Sequence, residues 1–469
     1  MGRKRKPRFE TQVAITGIAE KGRGVGRSAE GGVIFVENVA PGDIVDVVIT
    51  KKKSDYMHGT PVKFHHYSED RVEPFCAHYE ICGGCQWQHI TYEAQLLHKE
   101  NIVRNAMQRI AKTEIGEFFP ILPAPDTRYY RNKLEFAFSN RRWLTTEQLA
   151  DKSLPLLDDV LGFHKAGGFD KIINIDHCWL EPEPSNAIRN GLREIGIRQG
   201  LSFYDPRAYK GFLRQVMIRV SSIGETLVLM SFGEDDPEKR KNYLDEALER
   251  FPQITTLIYC VNTKVNDFIL DLPMETYAGK GFIEEQIGHV RFRIGPKSFF
   301  QTNSRQGERL YSIAAGFAGL DGSQNVYDLY TGVGSIALYL ARDCRRVTGI
   351  EEIAAAIEDA RENARLNQID NCDFYAGDVK DILTEEFAEK HGKPDVVVTD
   401  PPRAGMHPDV VRLFLRLEAP KIVYVSCNPA TQARDLHLLD EKYRVEKLQP
   451  VDMFPHTQHI EAVALLVKR

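Results

Sequence analysis

The chain has 469 residues, of which 42% are hydrophobic and 27% charged, and its formal net charge is -5. A chain of this length exceeds what one hydrophobic core usually sustains, so we expect two or three domains of ordinary globular composition. No apolar run reaches the ~20 residues that cross a bilayer, and no apolar stretch follows the basic amino terminus, so the sequence predicts neither a membrane span nor a secretory signal. We therefore expect a cytoplasmic protein, and a monomer because no exposed amphipathic repeat indicates otherwise.

Two short basic segments stand out against the slightly acidic whole. They are Arg3, Lys4, Arg5, Lys6 and Arg8 near the amino terminus, and Lys51, Lys52 and Lys53 further on. Local basic patches can steer a polyanion even when the net charge is negative. Each segment is equally consistent with a solvated, disordered tail or turn.

Residues 1–66 have the pattern of a small OB-like β-barrel. Phe9 to Ile18 alternates in polarity, glycines punctuate the segment, and Val33 to Val36 and Ile44 to Ile49 are strand-like. Barrels of this kind often bind oligonucleotides, which makes RNA binding the favoured interpretation. A barrel that merely packs against the rest of the chain is the alternative.

Residues 67–295 predict a β-rich central domain that begins with clustered cysteines. A helix is expected from Tyr92 to Ile110, and strands at Lys133 to Phe138 and Thr226 to Ser231, with a surface excursion between residues 143 and 159. Cys76, Cys82 and Cys85 lie close together, whereas the other five cysteines are scattered. In a cytosolic protein such clustering indicates a metal centre rather than disulfides.

Residues 296–469 alternate strands and helices and predict an α/β Rossmann-like domain with a doubly wound parallel sheet. The buried strand from Asn325 is followed by the glycine turn Thr331-Gly-Val-Gly-Ser-Ile-Ala337, which can bring backbone close to a ligand. Glu351 ends the next strand, about 20 residues on, where it can accept hydrogen bonds from a ribose. Asp378 ends a third strand and is placed to hold an adenine edge.

The glycine pattern alone also fits nicotinamide binding. Two features favour S-adenosylmethionine instead. Asp328 supplies a negative charge near the turn, where a sulfonium ligand can be stabilised, and later strands end in groups suited to nucleophilic and base chemistry rather than hydride transfer.

Three reactive side chains are expected at one edge of this sheet. Asp400 follows the strand from Asp395, and Cys427 follows the strand from Ile422, so both lie at carboxyl ends of parallel strands. If the last strand enters the sheet antiparallel, as an added edge strand can, Glu461 at its start joins them.

This set suits methylation of carbon 5 of uracil. That carbon becomes nucleophilic once a thiolate adds to carbon 6, which is the role we expect of Cys427. Glu461 is the expected base for the carbon 5 proton, with His456 as an assistant, and Asp400 would accept from the ring N3–H and so favour uracil over cytosine. The base must be flipped out or presented in a loop. Singly, Cys427 is equally explained as a buried small hydrophobe and Glu461 as a solvated charge.

At these positions the chain resembles the RNA 5-methyluridine methyltransferases, the bacterial 23S rRNA and tRNA (uracil-5-)-methyltransferase family. The resemblance covers nearly the whole chain, and four segments carry it: Phe299-Phe-Gln-Thr-Asn303, Asp400-Pro-Pro-Arg-Ala-Gly405, Ser426-Cys-Asn-Pro-Ala-Thr431 and Asp452-Met-Phe-Pro-His-Thr-Gln-His-Ile-Glu461. It implies that Cys427 is the nucleophile and Glu461 the base, and that the S-adenosylmethionine positions are Gln301, Tyr330, Glu351 and Asp400. Gln301 and Asp400 would also touch the uracil, and the first domain is similar to the family's RNA-binding TRAM domain.

The resemblance extends to the cysteines and to the RNA target. Cys76, Cys82 and Cys85 with the distant Cys178 resemble the [4Fe-4S] site of the ribosomal members, although four thiolates suit zinc equally in principle. Together with the TRAM-like domain they favour 23S rRNA over tRNA as the substrate. A cytosine C5 methyltransferase and a non-catalytic iron–sulfur RNA-binding protein are the remaining alternatives.

Overall fold

A computed structural model describes residues 8–19, 22–151, 153, 158–165, 168 and 170–469. Within these residues the strands form four sheets of six, seven, two and eight strands. Arg3 to Lys6 of the basic arm, and residues 152 and 154–157 of the predicted surface excursion, lie outside the described residues. No helix in the described part of the chain is long and apolar enough to span a membrane.

The amino-terminal sheet has the strand order β1-β5-β6-β4-β3-β2. Its strands are β1 (Arg8–Ala14), β2 (Gly17–Ile18), β3 (Gly24–Arg27), β4 (Val33–Val36), β5 (Ile44–Lys52) and β6 (Tyr56–His66). Alternate residues such as Val45 and Val47 are fully buried in a small apolar core with Ile34 and Val36. This period of two is what a strand with one buried face requires.

A helical segment connects this sheet to the rest of the chain. It contains α1 (Tyr92–Ala106), a π-helical turn (Met107–Ala111) and then β7 (Ile115–Phe118). Thr91 caps α1 by accepting a hydrogen bond from the Ala94 N–H. The predicted helix therefore exists, with its last turn widened.

The central sheet has the order β10-β9-β8-β11-β12-β13-β14. Its elements in chain order are β8 (Lys133–Ser139), α2 (Thr146–Ala150), β9 (Val160–His164), β10 (Ile172–Asn174), α3 (Ser185–Arg198), β11 (Leu213–Val220), β12 (Thr226–Phe232), α4 (Pro237–Arg250), β13 (Thr256–Val261) and β14 (Glu275–Ala278). Apolar residues of α3 and α4 share a core with the sheet, among them Leu192 and Leu244. The predicted strands at 133 and 226 are β8 and β12, which lie on either side of β11 in this sheet.

The carboxyl-terminal part begins with a hairpin and continues as a mostly parallel sheet. Its elements are β15 (Ile283–Ile287), β16 (Val290–Ile294), α5 (Ser304–Ala318), β17 (Asn325–Leu329), α6 (Ser335–Leu340), β18 (Arg346–Glu351), α7 (Ala354–Leu366), β19 (Cys372–Ala376), α8 (Val379–Ile382), α9 (Glu385–His391), β20 (Val396–Thr399), α10 (Pro408–Leu417), β21 (Lys421–Ser426), α11 (Pro429–Leu439), β22 (Tyr443–Val451) and β23 (Glu461–Lys468). The sheet order is β19-β18-β17-β20-β21-β23-β22-β7, with β17 to β21 parallel. Every residue of β17 and β20 is buried, as expected of parallel strands covered by helices on both faces. The α/β Rossmann-like fold is confirmed.

The last strand runs antiparallel to β21, with Ser426 opposite Ala462. This antiparallel orientation was predicted, but the edge position was wrong, because β22 and β7 lie beyond β23. The start of β23 therefore meets the carboxyl ends of β20 and β21. The division into residues 1–66, 67–295 and 296–469 remains a prediction, although β7 from its middle part lies in the sheet of the third.

Candidate active site

The turn after β17 presents its backbone to open space. Gly332 and Gly334 have φ angles of 57° and 80°, in the left-handed region that favours glycine. A Cβ atom added to Gly332 would meet nothing within 4 Å. The buried Asp328 carboxylate accepts hydrogen bonds from Thr331 Oγ1 at 2.5 Å and from the Ala337 N–H at 3.0 Å. Asp328 therefore braces the turn, rather than pointing freely toward a ligand.

Glu351 lies across this turn at the end of β18. Its Oε2 accepts a hydrogen bond from the Gly332 N–H at 3.1 Å, and its Oε1 accepts one from the Ile353 N–H at 3.0 Å. The residue is partly exposed, so its carboxylate also borders the open space beside Gly332. A carboxylate at this point of a doubly wound fold fits the ribose of a nucleoside ligand.

Tyr330 and Asp378 lie in the loops that follow β17 and β19. Burial raises the pKa of Tyr330 to about 12, and the negative charges of Asp378, Asp435 and Glu351 add to the rise. Asp378 itself caps α8 by accepting from the Lys380 N–H, and it is paired with the Lys380 side chain. The strand β19 ends two residues earlier, at Ala376, so Asp378 belongs to the following loop.

Asp400, Cys427 and Glu461 come together at the carboxyl edge of the sheet. Asp400 directly follows β20, Cys427 directly follows β21, and Glu461 opens β23. Because Ser426 pairs with Ala462, Cys427 and Glu461 are adjacent across two neighbouring strands. Glu461 is only 7% exposed.

The three groups also perturb one another electrostatically. Burial raises the pKa of Cys427 to about 11, with further contributions from Glu461 and Asp400. Burial and then Asp400 hold the pKa of Glu461 well above its usual range. Burial and then Asp328 raise the pKa of Asp400 to about 7. At neutral pH the Cys427 side chain of the free protein is therefore a thiol, beside two carboxyl groups whose pKa values are raised.

Arg403 lies in the same loop as Asp400 and was not singled out by the sequence. Its Nη2 is 3.1 Å from His459 Nδ1, and its backbone carbonyl accepts a hydrogen bond from the Asn428 side chain at 3.0 Å. Its positive charge opposes the rise in the pKa of Cys427 and of Glu461. The loops after β20 and β21 are thus joined around the reactive edge.

Residues 452–460 form the loop that leads to Glu461, and α1 holds it in place. Lys99 Nζ donates to Asp452 Oδ1 at 2.5 Å, and both side chains are fully buried. The His456 N–H donates to Gln95 Oε1 at 2.8 Å, and the Gln95 side chain lies 3.1 Å from His456 Nδ1. His456 is therefore held by α1 on one side, and its role as an assistant base stays a prediction.

Gln301 and Phe299 precede α5. The Gln301 carbonyl accepts a hydrogen bond from Asn132 Nδ2 at 3.0 Å, which fixes the segment to the start of β8. Phe299 is 77% exposed. A large exposed ring beside a candidate ligand residue offers a stacking surface, and sequence analysis missed it although it lies within the segment that includes Gln301.

The four cysteines of the predicted cluster line one cavity of about 340 Å³. Cys76, Cys82, Cys85 and Cys178 contribute to its wall together with Arg131 and Trp179. All four thiols are free, and in the described part of the chain no group of three or more His, Cys, Asp or Glu side chains is spaced to hold a single metal ion. The structure thus brings the four residues to one cavity without the close convergence of a mononuclear site.

Comparison with known proteins shows which families the chain resembles. The tRNA (uracil-5-)-methyltransferase family matches residues 280–469, and the TRAM domain matches residues 4–62. An uncharacterized RNA methyltransferase of Bacteroides thetaiotaomicron is 50% identical over 440 residues, covering 93% of this chain and 97% of its own. Another from Porphyromonas gingivalis is 50% identical over 461 residues, covering 97% and 99%.

A solved structure is similar over its whole length. The crystal structure of Pyrococcus abyssi tRNA (uracil-54, C5)-methyltransferase in complex with S-adenosyl-L-homocysteine has a TM-score of 0.75 and 30% sequence identity, covering 97% of this chain and 100% of that one. The fold and the carboxyl-edge site define an S-adenosylmethionine-dependent RNA methyltransferase. The chain belongs to the tRNA (uracil-5-)-methyltransferase family and carries a TRAM domain at its amino terminus.

Proposed function

We propose that this protein forms 5-methyluridine in RNA through a covalent bond between Cys427 and carbon 6 of the target uracil. The observation that supports this most is the meeting of Cys427, Glu461 and Asp400 at adjacent strand ends. A thiol, a buried carboxyl group and a second carboxyl group are the side chains that the reaction requires.

The first step is addition of Cys427 Sγ to carbon 6. The carbon 5–carbon 6 double bond breaks, and its electrons pass to the ring as an enolate on the carbon 4 oxygen. Since the pKa of Cys427 is about 11, its proton has to leave as the substrate binds. The proton passes to solvent, because the carboxylates of Glu461 and Asp400 are needed as acceptors in the later steps, and the positive charge of Arg403 favours the thiolate that results.

S-adenosylmethionine supplies, when bound, an electrophilic methyl group that the enolate takes at carbon 5. Glu461 then accepts the proton from carbon 5, and the carbon–sulfur bond to Cys427 breaks as the double bond returns. The raised pKa of Glu461, which burial and then the charge of Asp400 produce, makes its carboxylate a stronger base toward the carbon 5 proton.

Asp400 selects uracil in this proposal. A carboxylate facing N3 accepts the N3–H of uracil, whereas cytosine has no proton there. This hydrogen bond is the reason for preferring uridine over cytidine as the substrate. The pocket for the methyl donor is made by Gln301, Tyr330, Glu351, Asp378 and Asp400, with Gln301 and Asp400 near both ligands.

We further propose that Cys76, Cys82, Cys85 and Cys178 hold a [4Fe-4S] cluster. Such a cluster spreads its four thiolates over the corners of a cube, so its ligands surround a volume rather than a point. The shared cavity supports a common ligand for the four thiols, and the resemblance to the ribosomal members is the reason for preferring a cluster over zinc. The cluster takes no part in methyl transfer, and its role would be structural.

The cytoplasmic target that we place first is 23S rRNA, because the cysteine set and the TRAM domain together resemble the ribosomal members. tRNA is the second candidate. It is favoured by the similarity to the Pyrococcus abyssi enzyme, which is a tRNA (uracil-54, C5)-methyltransferase.

The test is transfer of labelled methyl from S-adenosylmethionine to unmodified total RNA, followed by separation of rRNA from tRNA and nucleoside analysis. We expect label in 5-methyluridine with the wild type and none with Cys427→Ala. Cys372→Ala is the matched control, because Cys372 is also partly buried but lies at the start of β19, at the opposite end of the strands. Label in 5-methylcytidine, or equal activity of Cys427→Ala, would contradict the proposal.

A further inference from the structure

Five side chains beside the cysteine-lined cavity form a patch that the proposed chemistry does not use. This arginine–aromatic patch consists of Phe75, Arg128, Tyr129, His177 and Trp179. The Arg128 guanidinium carbon lies 3.9 Å from the centre of the Phe75 ring and 5.0 Å from that of Trp179. The ring of Tyr129 lies 5.5 Å from that of Trp179, and its hydroxyl is 3.0 Å from His177 Nε2.

The patch faces solvent, and the Arg128 guanidinium in it is not paired with a carboxylate of the described residues. Arg128 and Tyr129 are exposed, and within the described ranges no carboxylate forms an ion pair with Arg128. Because Phe75 and Trp179 already hold the guanidinium in place, little side-chain entropy remains to be lost when a ligand binds. An ordered, unpaired arginine on the surface suits a phosphate.

Tyr129 adopts an unusual backbone conformation. Its φ angle is 55°, which is strained for an aromatic residue, and its N–H donates to the Trp179 carbonyl at 2.7 Å. Strain of this kind persists only where the surrounding fold imposes it, and it is concentrated at ligand-binding positions.

The patch borders the loop that leads to Glu461. The rings of Phe75 and His456 are 5.1 Å apart, edge to face. Next to Tyr129, the Tyr130 hydroxyl donates to the Pro455 carbonyl at 2.9 Å. The patch therefore contacts the loop whose end carries Glu461.

We propose that the arginine–aromatic patch binds an unpaired nucleotide of the RNA next to the target uridine. The nucleobase stacks on the exposed ring of Tyr129, and its phosphate pairs with Arg128. This inference rests on the proposed function for its substrate class. A uridine that reaches Cys427 has left its stack, so its neighbours lose a stacking partner that a protein ring replaces.

The test uses the full chain and a fluorescein-labelled single-stranded oligouridylate of roughly a dozen nucleotides, a length within the site sizes of single-strand binders. We expect Tyr129→Asn to weaken binding about tenfold, since asparagine keeps the left-handed backbone but removes the ring. Arg128→Gln should also weaken binding and reduce the slope of log affinity against log salt by about 0.7. Tyr209→Asn is the matched control, because Tyr209 is an exposed tyrosine with the same φ of 55° and lies outside the patch.

Wild-type affinity in both Tyr129→Asn and Arg128→Gln would overturn the inference, as would an equal loss in Tyr209→Asn. An RNA duplex of the same length should bind Tyr129→Asn as it binds the wild type, and an equal loss on the duplex would exclude stacking. Oligouridylate binding decides these outcomes independently of methyl transfer, so failure of the proposed function would be seen separately as absence of 5-methyluridine with the wild type.

Discussion

Replacing Lys99 by methionine removes the charge that holds the loop before Glu461. Lys99 Nζ donates to Asp452 Oδ1 at 2.5 Å and to the Phe454 carbonyl at 3.0 Å, inside the protein and away from water. Asp452 Oδ2 also accepts from the Tyr92 hydroxyl at 2.7 Å. The pair thus connects α1 with both ends of the turn at residues 452–454.

The expected loss of stability is large because one buried charge would be left without its partner. Removing one member of a buried ion pair costs about 3–5 kcal/mol. Asp452 would keep the Tyr92 hydroxyl and the Phe454 N–H as donors, so we expect the lower end, about 3 kcal/mol. Methionine preserves the apolar stem of lysine, which limits any contribution from lost packing.

Urea unfolding followed by tryptophan fluorescence measures this loss, because the Trp87 ring lies 5.7 Å from Lys99 Nζ. Lys241→Met is the control. Lys241 pairs with Asp245 on the surface of α4, where such a pair contributes about 0.3–0.5 kcal/mol. The double variant Lys99→Met with Asp452→Asn should recover part of the loss, since neither charge is then buried alone.

The reasoning is refuted if Lys99→Met lowers the free energy of unfolding no more than Lys241→Met does. It is also refuted if the loss in the double variant equals the sum of the losses in the two single variants. Lys99→Met should also lower kcat for methyl transfer while leaving the affinity for S-adenosylmethionine unchanged. Glu351 and Gly332, which we propose to bind the cofactor, are hydrogen-bonded to each other after β17 and at the end of β18, in elements other than this loop.

Three further predictions concern the pocket itself. The pKa of Asp400 is raised to about 7 from an ordinary value of 3.8, so its stabilising effect is complete below pH 3.8 and is lost as the pH rises through 7. The fall in Tm between these pH values should therefore be smaller in Asp400→Asn, and an identical fall would contradict the assignment. Glu351→Gln should raise the Kd for S-adenosylmethionine about tenfold or more in calorimetry, because hydrogen bonds to a charged group are worth about 1.5–3 kcal/mol; an unchanged Kd would exclude a ribose contact. Gly332→Ala should raise the Kd for S-adenosylmethionine, because the added Cβ meets no protein atom within 4 Å and enters the space where we place the cofactor. It should also lower Tm modestly, because alanine is strained at a φ of 57°; an unchanged Kd would show that the turn does not face the ligand.

The reactive edge was predictable because its signals are local. Asp400 and Cys427 each follow a buried hydrophobic strand, and parallel strands bring their carboxyl ends to one edge. Glu461 required one assumption, the antiparallel direction of β23, which is confirmed. The glycine turn and Glu351 were found in the same way.

Features that depend on distant parts of the chain were not predictable. The strand β7 has only four residues, and it pairs with β22 more than three hundred residues later, with Ile115 opposite Val445. A local sequence pattern therefore cannot predict this pairing. The contact between Gln95 and His456 joins residues 361 apart, so a local pattern cannot predict it either.

The covalent role of Cys427 is tested most directly with Glu461→Gln. Without the base, the reaction should stop after methyl transfer, with carbon 6 of the uracil still bonded to Cys427 Sγ. We expect Glu461→Gln, incubated with unmodified RNA and labelled S-adenosylmethionine, to give a labelled protein–RNA adduct that survives denaturing electrophoresis and maps to Cys427. The adduct should be absent from the double variant Glu461→Gln with Cys427→Ala. Free 5-methyluridine at the wild-type rate, with no adduct, would contradict the mechanism.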